Sequence, residues 1–528
     1  MKPPVHNPTR TVAVIDVGTT SIRLQIADVG ESGIHVLEVL SQSVSLGKDT
    51  FATGEIGRAT MEECVNVLRD YRSKLDEYQI PFDNVRVVAT SAVREATNRL
   101  AFIDRIFIAT GLSVEPIDVA EVHRVTYRGI QPLLKERPSL FEAVSAIVEV
   151  SGGSTDLLML DQGNVSFTHS FKIGTLRLQQ MLESSQVPYS RRRQVLEAEV
   201  NSLLEPLAER LPQGRRINLV TMGSDGRFAA HELVGHEPVA GSLTELRVSD
   251  LAKFTDRIFD MTEEELVDEF QLSFTEAETI GPALLTYLRL ADMMGCESLL
   301  VSASNLREGL IRELGGGRRN TDDFQQQIIR SAWELAGRYH VDEDHARHVA
   351  KLCGRLFRLL RTEHQLESRY ETVLTVAAIL HEAGGYINSS GLHKHSQYII
   401  LNSEIFGLTT DETLLAGLVT RYHRRSFPKP THQPYATLDR EKRVVVCKLA
   451  AILRIALALD AARSQRIADF NVERVRGRLI LTVPDVDDLS IEQLALPSAR
   501  SFFESIFGLK IVLRTQTRIS SVEASSQL

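Results

Sequence analysis

The chain has 528 residues, 43% of them hydrophobic and 24% charged, with a formal net charge of −9. That is ordinary globular composition, which excludes a disordered chain, and the length suggests about three or four domains. The acidic balance argues against bulk nucleic-acid binding, and no apolar run approaches the ~18 residues of a membrane span.

The four cysteines, Cys64, Cys296, Cys353 and Cys447, lie too far apart in sequence for a zinc knuckle or a disulfide framework. No signal peptide is visible, so a cytoplasmic protein is expected. Thr11–Val29, TVAVIDVGTTSIRLQIADV, alternates and is β-branched, which predicts strand, Gly-Thr-Thr turn, strand. Met61–Tyr78 has helical spacing, with Cys64, Val67, Leu68, Tyr71 and Leu75 on one face. Val85–Val93 predicts a strand with a helix from Arg94, and Val144–Val150 a buried strand. Ile217–Gly226 reads as strand and glycine turn, and Ser298–Leu314 as strand, turn, helix. Gly315–Asp323, GGGRRNTDD, reads as a hinge. Beyond it the pattern is helical over 324–339, 343–363, 368–383, 411–423 and 440–463. The end reads strand, helix, strand, followed by a frayed tail, SSVEASSQL.

IDVGTTSIRLQI and VEVSGGSTDLLML share one plan: a carboxylate, an apolar residue, a glycine turn, hydroxyl residues, then a new strand. Asp16 in the first takes the place of Glu149 in the second, and Met222-Gly-Ser-Asp-Gly226 is a third glycine-rich turn. Backbone N–H groups in such turns converge on an anion, and glycine lets a phosphate come close. The flanking carboxylates suit Mg²⁺, which prefers oxygen ligands and substrate phosphates. Either loop alone is explained by a tight hairpin; two matched loops favour phosphate binding.

These stretches resemble the exopolyphosphatase / guanosine-pentaphosphate phosphohydrolase (Ppx/GppA) family. The family's IDxGSNSxRL appears as Ile15–Leu24, its ATSALREAxN as Ala89–Asn98, its DIGGGSTE as Glu149–Asp156 and its VSxxxLREG as Val301–Gly309. AAILHEAGGYIN (Ala377–Asn388), HKHS (His393–Ser396) and RYHRRSFPK (Arg421–Lys429) resemble its HD-like domain. The resemblance implies an α/β, two-lobed actin/hexokinase/Hsp70-like (ribonuclease H-like) fold, then an all-α HD-like domain with a small α/β end. The lobes would span 1–132 and 133–315, the helical domain 323–465 and the end 466–517. It implies hydrolysis of a terminal phosphoanhydride in polyphosphate or guanosine pentaphosphate, with Mg²⁺, and a homodimer. Gly18, Thr19, Thr20, Ser21, Gly152, Gly153, Ser154, Thr155, Gly223 and Ser224 would cradle phosphates. Arg94 would clamp them with its guanidinium fork. Asp16 and Glu149 would orient Mg²⁺ or water, and Glu121 would be the base.

Several positions depart from the family pattern. Where the family has I-S-G-x-E-E, the chain has Ile117-Asp-Val-Ala-Glu-Val122. Val122 takes the place of the second glutamate. Glu121 stands one residue earlier, ~100° round a helix, and His123 is another candidate base. Thr20, Glu149 and Ser151 replace Asn, Asp and Gly, and Asp225 brings a negative charge to the third turn. An alternative is therefore a weakly catalytic protein that binds polyphosphate or guanosine tetra- and pentaphosphate. A kinase on the same fold is a third reading; no acceptor-sugar site supports it.

An HD-type metal set would draw on His345, His381 and Glu382, with His393, His395 and His423 in reserve. The pair is His-Glu, not His-Asp, and Leu457 stands where the late Asp is expected, with Asp460 three residues on. Satisfied histidines of a helical bundle are the expectation here. Arg191–Arg193, Arg318-Arg319 and Arg421–Lys429 could form a polyanion track, although such runs more often form solvated faces.

Overall fold

The computed structural model describes residues 10–30, 33–236, 238–239, 241–315, 321–424, 426–484, 486 and 488–515. The chain divides into two compact units, Met1–Thr321 and Asp322–Leu528.

The first unit holds two sheets of matching plan. The first has β1 (Arg10–Val17), β2 (Ser21–Gly30), β3 (Gly33–Ser43), β4 (Val85–Ala89) and β5 (Val114–Pro116), in the order β3-β2-β1-β4-β5. The second has β6 (Val144–Val150), β7 (Thr155–Asp161), β8 (Asn164–Phe171), β9 (Ile217–Met222), β10 (Leu243–Arg247) and β11 (Ser298–Ser302), in the order β10-β11-β9-β6-β7-β8. In each, three antiparallel strands are followed by parallel ones, with an antiparallel edge strand β10 added in the second: β1 pairs β2 antiparallel and β4 parallel, β6 pairs β7 antiparallel and β9 parallel, and β10 pairs β11 antiparallel. The two matched loops are thus the β1–β2 and β6–β7 turns of a repeated topology. Val12 through Ile15 are fully buried on both faces of β1, as expected of a strand covered on both sides.

The first unit departs from the sequence reading in several details, among them the strands β5, β8 and β10, which the sequence reading did not single out. β3 was not expected; its residues are mostly exposed, which dilutes the alternation that marks a half-buried strand. Val85–Val93 is a strand only to Ala89, and Ser91–Glu95 is helix.

Helix Val119–Lys135 crosses helix Leu306–Gly315 at two glycines. A Cβ at Gly309 would lie 2.4 Å from the Val125 carbonyl oxygen, and one at Gly129 3.7 Å from that of Asn305. This backbone-close crossing carries Val122 and Arg307 on its two helices.

The second unit is helical over Thr321–Arg338, Glu343–Leu359, Arg361–His364, Arg369–Leu380, Thr410–Arg421 and Arg440–Leu459. Leu392–Leu401 is a further helix that the periodicity did not single out. A third sheet closes the chain: β12 (Asn471–Val475), β13 (Arg478–Val483) and β14 (Lys510–Thr515), with helix Ser490–Phe507 before β14. The expected single strand in RVRGRLILTV is two. Arg476 (φ 43°) and Gly477 (φ 75°) form the turn between them, the left-handed pair that a tight two-residue hairpin needs. No described helix is long and apolar enough to cross a membrane. Arg318, Arg319, Arg425 and the tail from Ser520 lie outside the described residues.

The glycine crossing is testable. Gly309→Ala should lower stability by roughly 1–3 kcal/mol, because the added methyl meets a backbone carbonyl that cannot rotate aside. Denaturant unfolding followed by fluorescence measures it.

Candidate active site

The β1–β2 turn is Gly18-Thr19-Thr20, closed by Gly18 N–H on the Ser21 carbonyl at 2.9 Å. The β6–β7 turn is Ser151–Ser154, closed by Ser151 N–H on the Ser154 carbonyl at 2.9 Å. Neighbouring backbone ties down their carbonyls: Gly47 N–H reaches Thr19 at 2.8 Å, Thr175 N–H reaches Ser151 at 3.0 Å and Leu176 N–H reaches Gly152 at 3.1 Å. The turns face each other directly. A Cβ at Gly152 would lie 3.0 Å from the Thr19 methyl, and Thr19 Oγ1 sits 3.2 Å from Ser91 Oγ.

Asp16, Gly18, Thr19, Thr20, Ser21, Arg94, Glu149, Gly152, Ser154, Gly223 and Ser224 all line one cavity. The third turn enters it at Gly223, whose φ of 107° requires glycine, immediately before helix Ser224–Val234. Helix N-termini favour anions through unsatisfied N–H groups and the helix dipole.

Three expected site residues lie elsewhere. Gly153 does not line the cavity. A Cβ there would meet Ser91 Oγ at 2.2 Å and Phe51 at 2.8 Å, so its glycine serves the seating of the turn. Arg177 holds that seat, donating to the Gly153 carbonyl at 2.7 Å with its guanidinium 3.7 Å over the Phe51 ring. Thr155 is fully buried and donates its hydroxyl to the Ile173 carbonyl. Glu121 is the third. It pairs with Arg86 at 2.5 Å and Arg124 at 2.9 Å, beside a second hub where Glu313 meets Arg86, Arg124 and Arg128. The N-cap explains the direction: Asp118 accepts from Glu121 N–H at 2.8 Å, which fixes the helix phase so that Val122, not Glu121, lines the cavity. His123 is buried behind the site, with Nε2 3.5 Å from Asp156.

Among the cavity residues not assigned a role from sequence are the charged side chains Arg23, Asp156, Arg227, Glu276 and Arg307. Two were legible by period-2 pairing, since Arg23 stands opposite Asp16 and Asp156 opposite Glu149 in the hairpin registers. Arg307 is 6% exposed and donates to Asp16 Oδ2 at 3.3 Å.

The cavity floor is rich in carboxylate. Burial, then the charges of Asp156 and Asp16, raise Glu149 to about 7. Asp156 is held below the usual range; burial opposes its ionisation, but the His123 ring beside it and hydrogen bonds from Ser170 and Ser154 outweigh that. Burial raises Asp225 to about 6 against the pull of Arg23 and Arg227. Asp16 Oδ1 is buried without a hydrogen-bond partner. A divalent cation with oxygen preference fits this set, because it relieves the mutual repulsion and takes up the orphaned oxygen.

In the second unit, His345, His381 and Glu382 come together, each offering a ligand atom within 4.8 Å of the others. His423 and Asp460 join them in one cavity, and neither His393 nor His395 lines it. Of the basic stretches, Arg192 pairs with Glu263, Arg193 with Glu197 and Asp256, and Arg421 donates to Gln397.

A repeated sheet topology, with glycine turns meeting over carboxylates and arginines, defines a two-lobed α/β protein with an anion-binding cavity. The Ppx/GppA phosphatase family matches residues 25–315, and domain III of Ppx/GppA phosphatases matches 329–492. The chain belongs to the Ppx/GppA phosphatase family, and a divalent metal cofactor accords with that membership. A guanosine-5′-triphosphate,3′-diphosphate pyrophosphatase of Aeromonas hydrophila subsp. hydrophila is 28% identical over 480 residues, covering 89% of this chain and 92% of that one. The protein of the same name from Aeromonas salmonicida is 26% identical over 493 residues, covering 89% and 92%. Among solved structures, an exopolyphosphatase from Cytophaga hutchinsonii shares the fold, with a TM-score of 0.51 at 24% identity, over 58% of this chain and 98% of that one.

Two outcomes follow from the geometry. Glu121→Gln should cost about 1–3 kcal/mol of stability, the worth of charged hydrogen bonds to Arg86 and Arg124, while phosphate release stays within about twofold of wild type. Asp225 is neutral below about pH 6 and charged above it, so its ionisation disfavours a polyanion as pH rises through that value. In calorimetric titrations with tripolyphosphate, Asp225→Asn should bind at least about tenfold tighter than wild type well above pH 6. The advantage should vanish well below it.

Proposed function

We propose that the chain removes the terminal phosphate of inorganic polyphosphate or of guanosine pentaphosphate, with Mg²⁺ as its divalent cation. The carrying observation is the meeting of the turns at Gly18, Gly152 and Gly223 around one cavity lined by Arg94 and Arg307. Phosphoryl transfer to water asks mostly for positioning and charge neutralisation. The turn N–H groups and hydroxyls orient the terminal phosphate. Arg94 is itself fixed, donating to the Ile117 carbonyl at 3.0 Å, and presents the rest of its fork to phosphate oxygens. Asp16 and Glu149 would hold the cation, and that cation would supply charge neutralisation. Water attacks the terminal phosphorus, the bridging P–O bond breaks, and orthophosphate leaves together with a chain one phosphate shorter. A cytoplasmic location and a homodimer belong to this reading on the family resemblance.

One observation favours a second reading, in which binding outlasts catalysis. The cavity wall where an in-line water would lose its proton carries Val122, 8% exposed and without a proton-accepting atom. On that reading wild-type turnover would be slow, and a regulatory role through polyphosphate or guanosine tetra- and pentaphosphate binding would follow where it is negligible.

Phosphate release from polyphosphate, guanosine pentaphosphate and ATP, each with Mg²⁺, tests both. Val122→Glu should raise turnover by about tenfold or more on the preferred substrate, since a positioned base is worth ~10²–10⁴. Rapid wild-type hydrolysis that Val122→Glu does not improve would reject Val122 as the missing base position. Absence of release from both variants, with tight polyphosphate binding, would leave the binding protein as the function.

A further inference from the structure

The β6–β7 turn has its carbonyls tied down from one helix. Ser151 accepts from Thr175 N–H at 3.0 Å, Gly152 from Leu176 N–H at 3.1 Å and Gly153 from Arg177 Nε at 2.7 Å. Three consecutive acceptors of the turn thus meet donors on three consecutive residues at the start of helix Thr175–Ser184. The first N–H groups of a helix have no partner inside it, and this helix has no side-chain cap. Two of those N–H groups go to the turn, and the third residue supplies its side chain. A Cβ on Gly174 would lie 2.2 Å from the Gly152 carbonyl oxygen, so helix start and turn meet backbone to backbone.

Peptide geometry gives this match a consequence for the cavity. In a trans peptide the C=O and the N–H point in opposite directions, and the turn has no cis bond. A carbonyl held by the helix therefore turns the next residue's N–H away from it. The N–H groups so turned belong to Gly152, Gly153 and Ser154. Those of Gly152 and Gly153 have no acceptor among the described residues, and that of Ser154 has a long bond, 3.3 Å, to Ser151 Oγ. Gly152 and Ser154 line the cavity. Successive N–H groups presented in this way form a concavity for an oxyanion.

The same guanidinium also reaches away from the turn. Arg177 Nη2 donates to Glu95 at 2.6 Å, and the guanidinium carbon lies 3.7 Å from the centre of the Phe51 ring. Glu95 follows Arg94 in the short helix Ser91–Glu95, and Arg94 lines the cavity. One side chain, itself outside the cavity lining, joins the phosphate turn to the helix of the phosphate clamp. Arginine suits the task because its fork reaches two acceptors at once, whereas lysine offers a single point donor.

We propose that Arg177 is a positioning residue for phosphoryl transfer, which sets the direction of the Ser154 N–H and fixes that group relative to Arg94. The inference rests on the hydrolase reading above. A donor held in place needs no reorganisation when charge moves onto the departing phosphate oxygens.

The test is phosphate release by the full chain from polyphosphate and guanosine pentaphosphate with Mg²⁺, together with calorimetric binding of tripolyphosphate. Arg177→Met keeps a stem over Phe51 and removes both donors. It should lower kcat/KM about tenfold or more, mostly through kcat, since outright loss of an oxyanion donor costs ~10²–10³. Tripolyphosphate affinity should fall less, about threefold, because the donor acts chiefly on the transition state. Arg177→Lys should recover part of kcat by reaching one of the two acceptors. Glu95→Gln should lower kcat at least about twofold by weakening the charged bond, and should cost nothing further in the Arg177→Met background. A purely structural arginine gives a lower unfolding midpoint with wild-type kcat well below it, and that result overturns the proposal. If Arg177→Met does not fold, Glu95→Gln decides: lowered kcat upholds the link, and unchanged kcat rejects it. A wild type that binds tripolyphosphate but releases no phosphate ends the hydrolase reading alone. In that case the loss of affinity in Arg177→Met upholds the positioning of the turn, and unchanged affinity overturns it. A wild type that does neither overturns both.

Discussion

Three carboxylates, Asp16, Glu149 and Asp156, stand together, each only partly exposed, where two hairpins meet, and the cavity of the first unit is organised around that repulsion. Their charges would expel one another in a closed interior. The fold offsets them with Arg307, held 6% exposed against Asp16, and with Arg23 and Arg227 on the cavity wall. The balance stays incomplete, for Glu149 is raised to about 7 and Asp16 Oδ1 has no partner. A site left short of positive charge is prepared for a cation, and its rim of turn N–H groups is prepared for the anion that accompanies one.

Glycine gives that arrangement its geometry by permitting close approach, and at only one of the three turns through unusual backbone angles. Gly153 faces Ser91 at a distance that leaves no room for a Cβ, and a Cβ at Gly152 would press tightly on Thr19. Only Gly223 sits in the left-handed region. The same logic recurs where Gly309 meets the backbone of Val119–Lys135. That crossing joins the helix that carries Arg307 to the helix that carries Val122, at a contact made outside the cavity.

The second unit solves a polar problem differently. Each Nδ1 of His345, His381 and His423 has an oxygen partner, and His381 Nε2 is left without one beside Glu382, which Arg463 reaches. Asp460, placed by sequence in a separate helix ending, proves to be the residue that orients His345, because Arg440–Leu459 ends beside the start of Glu343–Leu359.

The hairpins, their glycine turns and their paired acids were legible in the sequence because they are local. Strand alternation, turn chemistry and the Asp16/Arg23 and Glu149/Asp156 pairings each need only a few neighbouring residues. The helical character of residues beyond 321 was legible for the same reason, since a 3.6-residue period is a short-range signal. What no local window contains is the partner of a charge. Glu121 and Val122 differ by one helical step, and the choice between them was made by the Asp118 cap together with Arg86 and Arg124, which draw Glu121 into an ion-pair cluster. Thr155 and Gly153 read as ligand-binding in a motif and became packing residues through Ile173, Ser91 and Phe51. Residue type and period decide which groups are available; long-range burial and charge pairing decide which of them face the cavity, because those energies depend on neighbours distant in the chain.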